Sequence, residues 1–215
     1  MNKKNLIQFV QSLVLLPLVT GSVPLNSLIK ADTLKETSKT VFIQKENSIA
    51  NGLIALNQAV DEKAKELEAR LDSVRQAKAD AIDAYFEARD MPLFGTGMKM
   101  AEEADKNDLD WRLLPAIAAR ESTGGKNDCI KVDNNPFGWG SCRIGFKTID
   151  DAIETVAKNL GGNNPSTKRH YGDKTLKGIL QAYNPPSIVA NYANQVIRIM
   201  NTIGKEDLNT TAVAS

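Results

Sequence analysis

The sequence is poor in the residues that several large classes of protein depend on. Its 215 residues carry 27 basic and 26 acidic side chains, so no broad basic field is available to attract nucleic acid. Two cysteines and one histidine form no cluster with the spacing of a zinc site. The histidine, His170, lies in a polar segment and is interpreted as a surface residue. We therefore expect no metal, no cofactor and no nucleic-acid partner.

Long apolar runs are also scarce. The mostly apolar run at residues 6–19 is shorter than the ~20 residues that a membrane-spanning helix needs. Lys3 and Lys4 precede this run, and a small residue, Ala31, provides a cleavage site after it. This order predicts a signal peptide over residues 1–31 and a secreted or cell-envelope protein. An uncleaved membrane anchor is the alternative.

Export bears on the two cysteines, Cys129 and Cys142. Outside the cytoplasm two cysteines in one segment are expected to form a disulfide. The bridge would close a loop of about fourteen residues, a constraint of roughly 3 kcal/mol in the chain-entropy model. It would also fix residues 134–140. The alternative is two independent buried thiols.

A long amphipathic helix is predicted over residues 48–90. Apolar residues recur at every seventh position, and a second, partial row runs beside them, as in a coiled coil. The first row consists of Leu53, Val60, Leu67, Val74, Ala81 and Ala88. A single helix cannot bury such a stripe on itself, so we interpret it as a stalk or partner surface. It pairs with a coiled-coil partner, such as a second copy of the chain, or it folds back on the globular domain.

The rest of the chain is predicted to form one mainly α domain. Pro92 and Gly95 end the long helix and place the start of this domain at residue 95. The domain is predicted to end at residue 204, because the tail that follows is polar. Helices are expected near 96–107, 110–122, 148–160, 174–182 and 187–203.

Three other segments are predicted to be irregular. The polar residues 32–47 are interpreted as a linker, and residues 205–215 as a disordered tail. Glycine, asparagine and cysteine predict a loop between 123 and 147, with a short hairpin at 136–146 as an option.

Glu121 is the strongest candidate for a catalytic residue. It closes the apolar helix predicted at 110–122, and Gly124 and Gly125 follow almost at once. A carboxyl group there is partly shielded from water and lies next to backbone that no side chain covers. Such a setting favours the uncharged carboxyl that a general acid needs. The alternative is a solvated glutamate at a helix end.

Aromatic and amide side chains recur together downstream of Glu121. They occur at 134–140, at 183–185 and at 192–196. Such a mixture suits a neutral, hydroxylated ligand such as a sugar, because CH groups stack on rings while amides bond to hydroxyls. Trp139 lies between two glycines and is predicted to offer a stacking face. The alternative is that it anchors its loop in the core.

Four segments resemble known families of peptidoglycan-cleaving enzymes. Residues 118–122 are similar to the helix end that carries the catalytic glutamate in lysozyme-like hydrolases. Residues 134–138 resemble a stretch of the bacterial endo-β-N-acetylglucosaminidases, which include flagellar muramidases and autolysins. Residues 180–185 resemble a segment shared by lytic transglycosylases and glucosaminidases, and 192–201 resemble their closing helix. Order and spacing agree over about 96–204.

The resemblance implies a lysozyme-like domain whose groove binds the glycan strands of peptidoglycan. It implies that Glu121 is the general acid that protonates the glycosidic oxygen, and that Tyr183 lies near the cleaved bond. The candidate substrate-binding residues are Asn135, Phe137, Gly138, Trp139, Asn184 and Tyr192.

A second carboxylate is harder to assign. Glycosidases with two carboxylates need another Asp or Glu about 5 Å away for retention, or farther for inversion. Asp133 is the best candidate, because the disulfide loop can bring it over the groove. Lytic transglycosylases need only one glutamate, and the sugar itself closes a 1,6-anhydro ring. Hydrolysis is slightly favoured, and transglycosylation or a non-catalytic glycan-binding or protein-binding module are the alternatives.

Overall fold

The computed structural model describes residues 31–204, with side chains from residue 41 onward. The predicted signal peptide, apart from its last residue, and the predicted tail at 205–215 lie outside the described residues. The described part is mainly helical, as predicted, and it contains no strand. Within this part, no helix combines the length and apolar character needed to cross a membrane.

Eight helices follow one another within residues 31–204. In chain order they are α1 (Ala31–Glu87), α2 (Gly97–Lys106), α3 (Leu113–Ser122), α4 (Trp139–Cys142), α5 (Ile149–Leu160), α6 (Lys168–Tyr171), α7 (Leu176–Tyr183) and α8 (Tyr192–Met200). The five helices expected after residue 95 correspond to α2, α3, α5, α7 and α8, although α8 begins later than expected. The short helices α4 and α6 have no counterpart in the prediction.

Helix α1 is longer than the sequence pattern indicates. Its described part starts at Ala31, so the segment 32–47, expected as a linker, is helical. That segment contains neither glycine nor proline, and nothing in it breaks a helix. The helix ends at Glu87, and Asp90 then adopts a left-handed conformation just before Pro92.

The chain divides into two units, 1–60 and 61–215. In the second unit the side chains of α1 are exposed from residue 61 to 74. Leu67 and Val74, which belong to the sevenfold row, are each about half exposed, at 51% and 48%. This part of the stripe is therefore not folded back on the domain. Pairing of α1 with another chain stays a prediction.

The core of the second unit begins before residue 95. From Ala79 onward, α1 is partly buried, and Ile82, Tyr85 and Phe86 belong to the main hydrophobic cluster. Asp83, on the same helix, accepts hydrogen bonds at 2.9 Å from the amides of Gly95 and Gly97. The last turns of α1 are thus an integral part of the globular domain.

Helix α3 is the centre of this core. Its residues from Leu113 to Ala118 are buried, as expected for a helix that is apolar on all sides. It packs most extensively against α8, and it also contacts α2 and α5. The C-terminal end of this buried helix carries Glu121, so the core fixes the position of that carboxyl group.

The segment between α3 and α5 is a loop with a short helical turn, and the optional hairpin at 136–146 is wrong. Asn135 explains why. Its side-chain amide donates to the carbonyls of Trp139 (2.8 Å) and Ile144 (2.9 Å) and accepts from the amide of Trp139 (2.9 Å). One side chain thereby satisfies backbone groups that a hairpin would pair across two strands.

The predicted disulfide between Cys129 and Cys142 is confirmed, with Cα atoms 5.4 Å apart. Next to it, Gly140, Ser141 and Cys142 all adopt left-handed backbone conformations, with φ between 56° and 62°. Non-glycine residues rarely adopt such values, so the surrounding covalent and hydrogen bonds must hold them.

Candidate functional site

A cleft of about 570 Å³ opens beside the C-terminal end of α3. The loop around α4 forms one wall, and the end of α7 with the residues after it forms another. Its lining residues are Glu121, Gly138, Trp139, Gly140, Ser141, Cys142, Tyr171, Tyr183, Asn184, Pro185 and Ile188. Five of the predicted catalytic and substrate-binding residues, including Glu121 and Tyr183, are therefore brought together here, and so is Cys142 of the predicted disulfide.

Glu121 lies in the last turn of α3. The helix stops because Thr123 adopts a left-handed conformation (φ 55°), and the amide of Gly124 then bonds back to the carbonyl of Ala118 at 3.1 Å. The carboxyl oxygen Oε1 of Glu121 is buried, and the hydroxyl group of Tyr192 interacts with this carboxyl group.

Gly138 faces the other carboxyl oxygen of Glu121. A Cβ atom at this position would lie 3.2 Å from Oε2, and the φ of Gly138 is +63°. Only glycine satisfies both the close approach and the left-handed backbone without strain. The loop therefore passes directly over the carboxyl group.

Tyr183 lines the cleft at the end of α7. Its hydroxyl group donates a hydrogen bond to the main-chain carbonyl oxygen of Phe137. Burial raises the pKa of Tyr183 well above its ordinary value, and the nearby negative charge of Glu121 raises it further. The phenol therefore stays protonated and fastens the loop to α7.

Tyr192 lies behind Tyr183, and the two rings stack with centroids 6.0 Å apart. Tyr192 is buried, and its hydroxyl group interacts with the Glu121 carboxyl group. Burial, the charge of Glu121 and a hydrogen bond to its carboxyl group all raise the pKa of Tyr192. The Arg120 guanidinium lies 5.8 Å from the ring centroid of Tyr192, and its Nε donates to the side-chain oxygen of Gln195 at 2.7 Å.

Aromatic side chains form much of the cleft wall. The ring centroid of Trp139 lies 5.8 Å from that of Tyr183 and 6.1 Å from that of Tyr171. Trp139 is half-buried and packs against the core, so it anchors its loop, and it also lines the cleft. Burial raises the pKa of Tyr171.

Four of the predicted acid and substrate-binding residues do not line the cleft, and Tyr192, which lies behind Tyr183, is one of them. Asn135 is buried and supports the loop through the bonds described above. Phe137 is fully buried in the core and contributes only its carbonyl oxygen, to Tyr183. Asp133 is exposed, and its carbonyl accepts a hydrogen bond from the amide of Phe146 at 3.0 Å. The structure therefore does not bring Asp133 to Glu121.

Several lining residues escaped the sequence reasoning. Tyr171 is in α6, next to the exposed His170, and no spacing pattern links it to Trp139. Ser141 and Cys142 line the cleft because of the disulfide loop, and the predicted disulfide was the only signal for them. Pro185 follows Asn184 directly, and only the resemblance of the whole segment 180–185 pointed to it.

The cleft combines one carboxyl group with neutral phenols and aromatic faces. Among its lining residues, Glu121 carries the only carboxylate. Within the part of the chain that the structure describes, no three His, Cys, Asp or Glu side chains are grouped so that they could hold a metal ion. The arrangement can donate and accept one proton beside a bound, uncharged ligand.

No model of a known protein family matches this chain, and a search of curated proteins finds no match either.

Proposed function

We propose that this protein is an exported enzyme that cleaves β-1,4 glycosidic bonds of peptidoglycan through a lysozyme-like domain, with Glu121 as the general acid. One observation carries the proposal. The carboxyl group of Glu121 lies at the C-terminal end of α3 under Gly138, and it is the only carboxylate in the lining of a cleft with aromatic walls. A single carboxyl group beside neutral ring faces can donate a proton to an uncharged ligand bound against them.

The composition of the cleft supports a sugar as the ligand. Trp139, Tyr171 and Tyr183 offer ring faces against which the CH groups of a pyranose stack. Asn184 adds an amide to the cleft wall, a group that can bond to sugar hydroxyls. The cleft volume of about 570 Å³ lies within the roughly 300–1,000 Å³ of typical ligand sites.

The proposed reaction begins with proton transfer. Protonated Glu121 donates its proton to the bridging oxygen while the bond between that oxygen and the anomeric carbon breaks, so the leaving sugar departs as an alcohol. The other sugar develops positive charge, which the new Glu121 carboxylate stabilises. Glu121 then accepts a proton from the attacking hydroxyl group. Tyr183 keeps its own proton and holds the loop over the site.

The attacking group distinguishes two candidate enzymes. If water attacks, the product has a reducing end and the enzyme is a glycoside hydrolase. If the 6-hydroxyl group of the same sugar attacks, the product is a 1,6-anhydro sugar, as in lytic transglycosylases. The position of Asp133 outside the cleft and the single carboxylate in the lining favour the second route, which needs only one acid.

The disulfide supports the proposal of export. Structural disulfides persist in oxidising compartments outside the cytoplasm, and Cys129 and Cys142 form one. A cell-wall substrate is found in such a compartment. The proposal therefore assigns the protein to the cell envelope or the medium.

The experiment that tests the function compares the unmodified protein with Glu121→Gln on purified peptidoglycan. We expect Glu121→Gln to fold normally and to lose at least about a hundredfold in rate, the lower range for removing a general acid. Glu102→Gln is the matched control, because Glu102 is exposed and does not line the cleft. Full activity of Glu121→Gln would refute the assignment.

Mass spectrometry of the released muropeptides identifies the bond and the route. A 1,6-anhydro end group identifies transglycosylation, and a reducing end identifies hydrolysis. If the unmodified protein binds peptidoglycan but releases no fragments, the domain is a binding module rather than an enzyme.

A further inference from the structure

A second, smaller cavity of about 180 Å³ lies between α7 and the start of α8. Asn184 lines both this cavity and the cleft. Tyr192 also lines it, while its ring stacks on Tyr183, which lines the cleft. The two cavities are therefore neighbours, and Asn184 with the stacked tyrosines forms the wall between them.

Polar and apolar groups share the lining of this cavity. Gln181, Asn191 and Asn194 contribute amides, and Lys177 is the only charged residue of the lining. Lys177 is exposed and has no ion pair among the described residues, so its ammonium group is available. No carboxylate competes for it within the cavity.

Asn184 adds a further amide to the lining. A ligand that enters beside it gains from an N–H or O–H group that bonds to this polar wall. A ligand that meets both conditions carries an N–H or O–H group for Asn184 and an anionic group for Lys177. A peptide with a carboxylate side chain has both.

The size of the cavity indicates a substituent rather than a complete ligand. Its volume is below the roughly 300 Å³ at which typical small-molecule sites begin. A disaccharide belongs in the larger cleft, and a short branch from it can reach past Asn184. We infer that this cavity, which we call the Lys177 pocket, binds an acidic peptide substituent carried by the glycan strand in the cleft. The inference rests on the proposed function.

Calorimetry on the full chain carrying Glu121→Gln tests the inference without cleavage of the ligand. The probes are chitotetraose, a muropeptide tetrasaccharide with free glutamyl carboxylates, and the same muropeptide with those carboxylates amidated. We expect the free acid to bind about threefold to fivefold more tightly than the amidated form, the range of an exposed ion pair. The preference should shrink as salt is added.

Two lysine variants identify the residue responsible. Adding Lys177→Gln should remove the preference and leave the affinity for chitotetraose unchanged. Adding Lys174→Gln should leave the preference intact, because Lys174 is a similarly exposed lysine three residues away that does not line the pocket. Both changes lie on the surface and should not alter the thermal stability.

The outcomes separate this inference from the proposed function. If chitotetraose binds but the two muropeptides bind equally well, the Lys177 pocket is not an acidic-peptide site, whereas the glycan cleft stands. A preference that survives Lys177→Gln also overturns the inference. If none of the three probes binds, both the glycan cleft and the pocket that depends on it are refuted.

Discussion

The hydroxyl group of Tyr183 donates a hydrogen bond to the main-chain carbonyl of Phe137, 46 positions earlier in the chain. This bond joins the end of α7 to the loop that passes over Glu121. Two segments that are far apart in the sequence therefore hold one another at the cleft. Glu121 is held in place by the buried helix α3, and the loop that carries Gly138 covers its carboxyl group.

Removal of this bond should affect both stability and activity. We expect Tyr183→Phe to lower the free energy of unfolding by about 1–2 kcal/mol, because the buried carbonyl of Phe137 loses its partner. The cleavage rate should fall as well, because the loop is no longer fastened. Tyr171→Phe is the control, since no hydrogen bond of the Tyr171 hydroxyl to a described residue is observed. Denaturant unfolding and initial rates measure the two effects, and equal behaviour of both variants would contradict the prediction.

Gly138→Ala tests whether the loop must approach the Glu121 carboxyl closely. The new Cβ atom would lie 3.2 Å from Oε2, and alanine at φ +63° is disfavoured by about 1–2 kcal/mol. Gly95→Ala is a matched control, because Gly95 has a similar positive φ of +89° but open space around it. We expect both variants to lose stability and only Gly138→Ala to lose activity, by about tenfold. A Gly138→Ala protein as active as Gly95→Ala would show that the close approach is unimportant.

The buried tyrosines predict a loss of stability in alkali. The pKa values of Tyr183 and Tyr192 are raised in the folded protein, whereas in the unfolded chain they are near 10. Below pH 10 both states keep the protons and the stability is unchanged. Above pH 10 the unfolded chain releases them first, so the free energy of unfolding falls by about 1.4 kcal/mol per pH unit for each tyrosine. Denaturant titrations at pH 9 and pH 11 measure this, and a Tyr183→Phe, Tyr192→Phe double variant should show a smaller difference.

The exposed apolar stripe of α1 predicts self-association. Leu53, Val60 and Leu67 are each about half exposed and repeat every seven residues, and Asn57 occupies one position of the second row, as in two-stranded coiled coils. We expect the chain from residue 32 onward to sediment as a dimer. Leu67→Glu should yield monomers, whereas Ala69→Glu adds the same charge away from the two rows and should not. A monomer before any substitution would refute the pairing.

The sequence was sufficient for the helices that have strong local signals. The apolar run before Glu121 and the glycines after it predict α3 and its end, and the structure places both there. The start of the core was harder to predict. The sevenfold repeat continues through Ala81 without a change of pattern, so the sequence does not reveal that Ile82 and Phe86 belong to the domain.

The cleft was only partly predictable, because side chains rather than backbone patterns build it. Asn135 takes over the hydrogen bonds that would have made a hairpin, and nothing in its neighbours distinguishes this role from contact with a sugar. The proximity of Tyr171 to Trp139 depends on how α6 packs, which is a long-range property. The sequence motifs therefore identified the candidate site residues, and the packing of the core determines which of them face the cleft.

The disulfide has a practical consequence for anyone who handles this protein. Cys142 is in the cleft wall, so the wall depends on a bond that a thiol reagent removes. In protein from a reducing host, or in buffers with dithiothreitol, the disulfide is broken. It then no longer helps to hold the left-handed backbone of Gly140, Ser141 and Cys142. Meaningful measurements of binding therefore begin with a thiol titration of the sample.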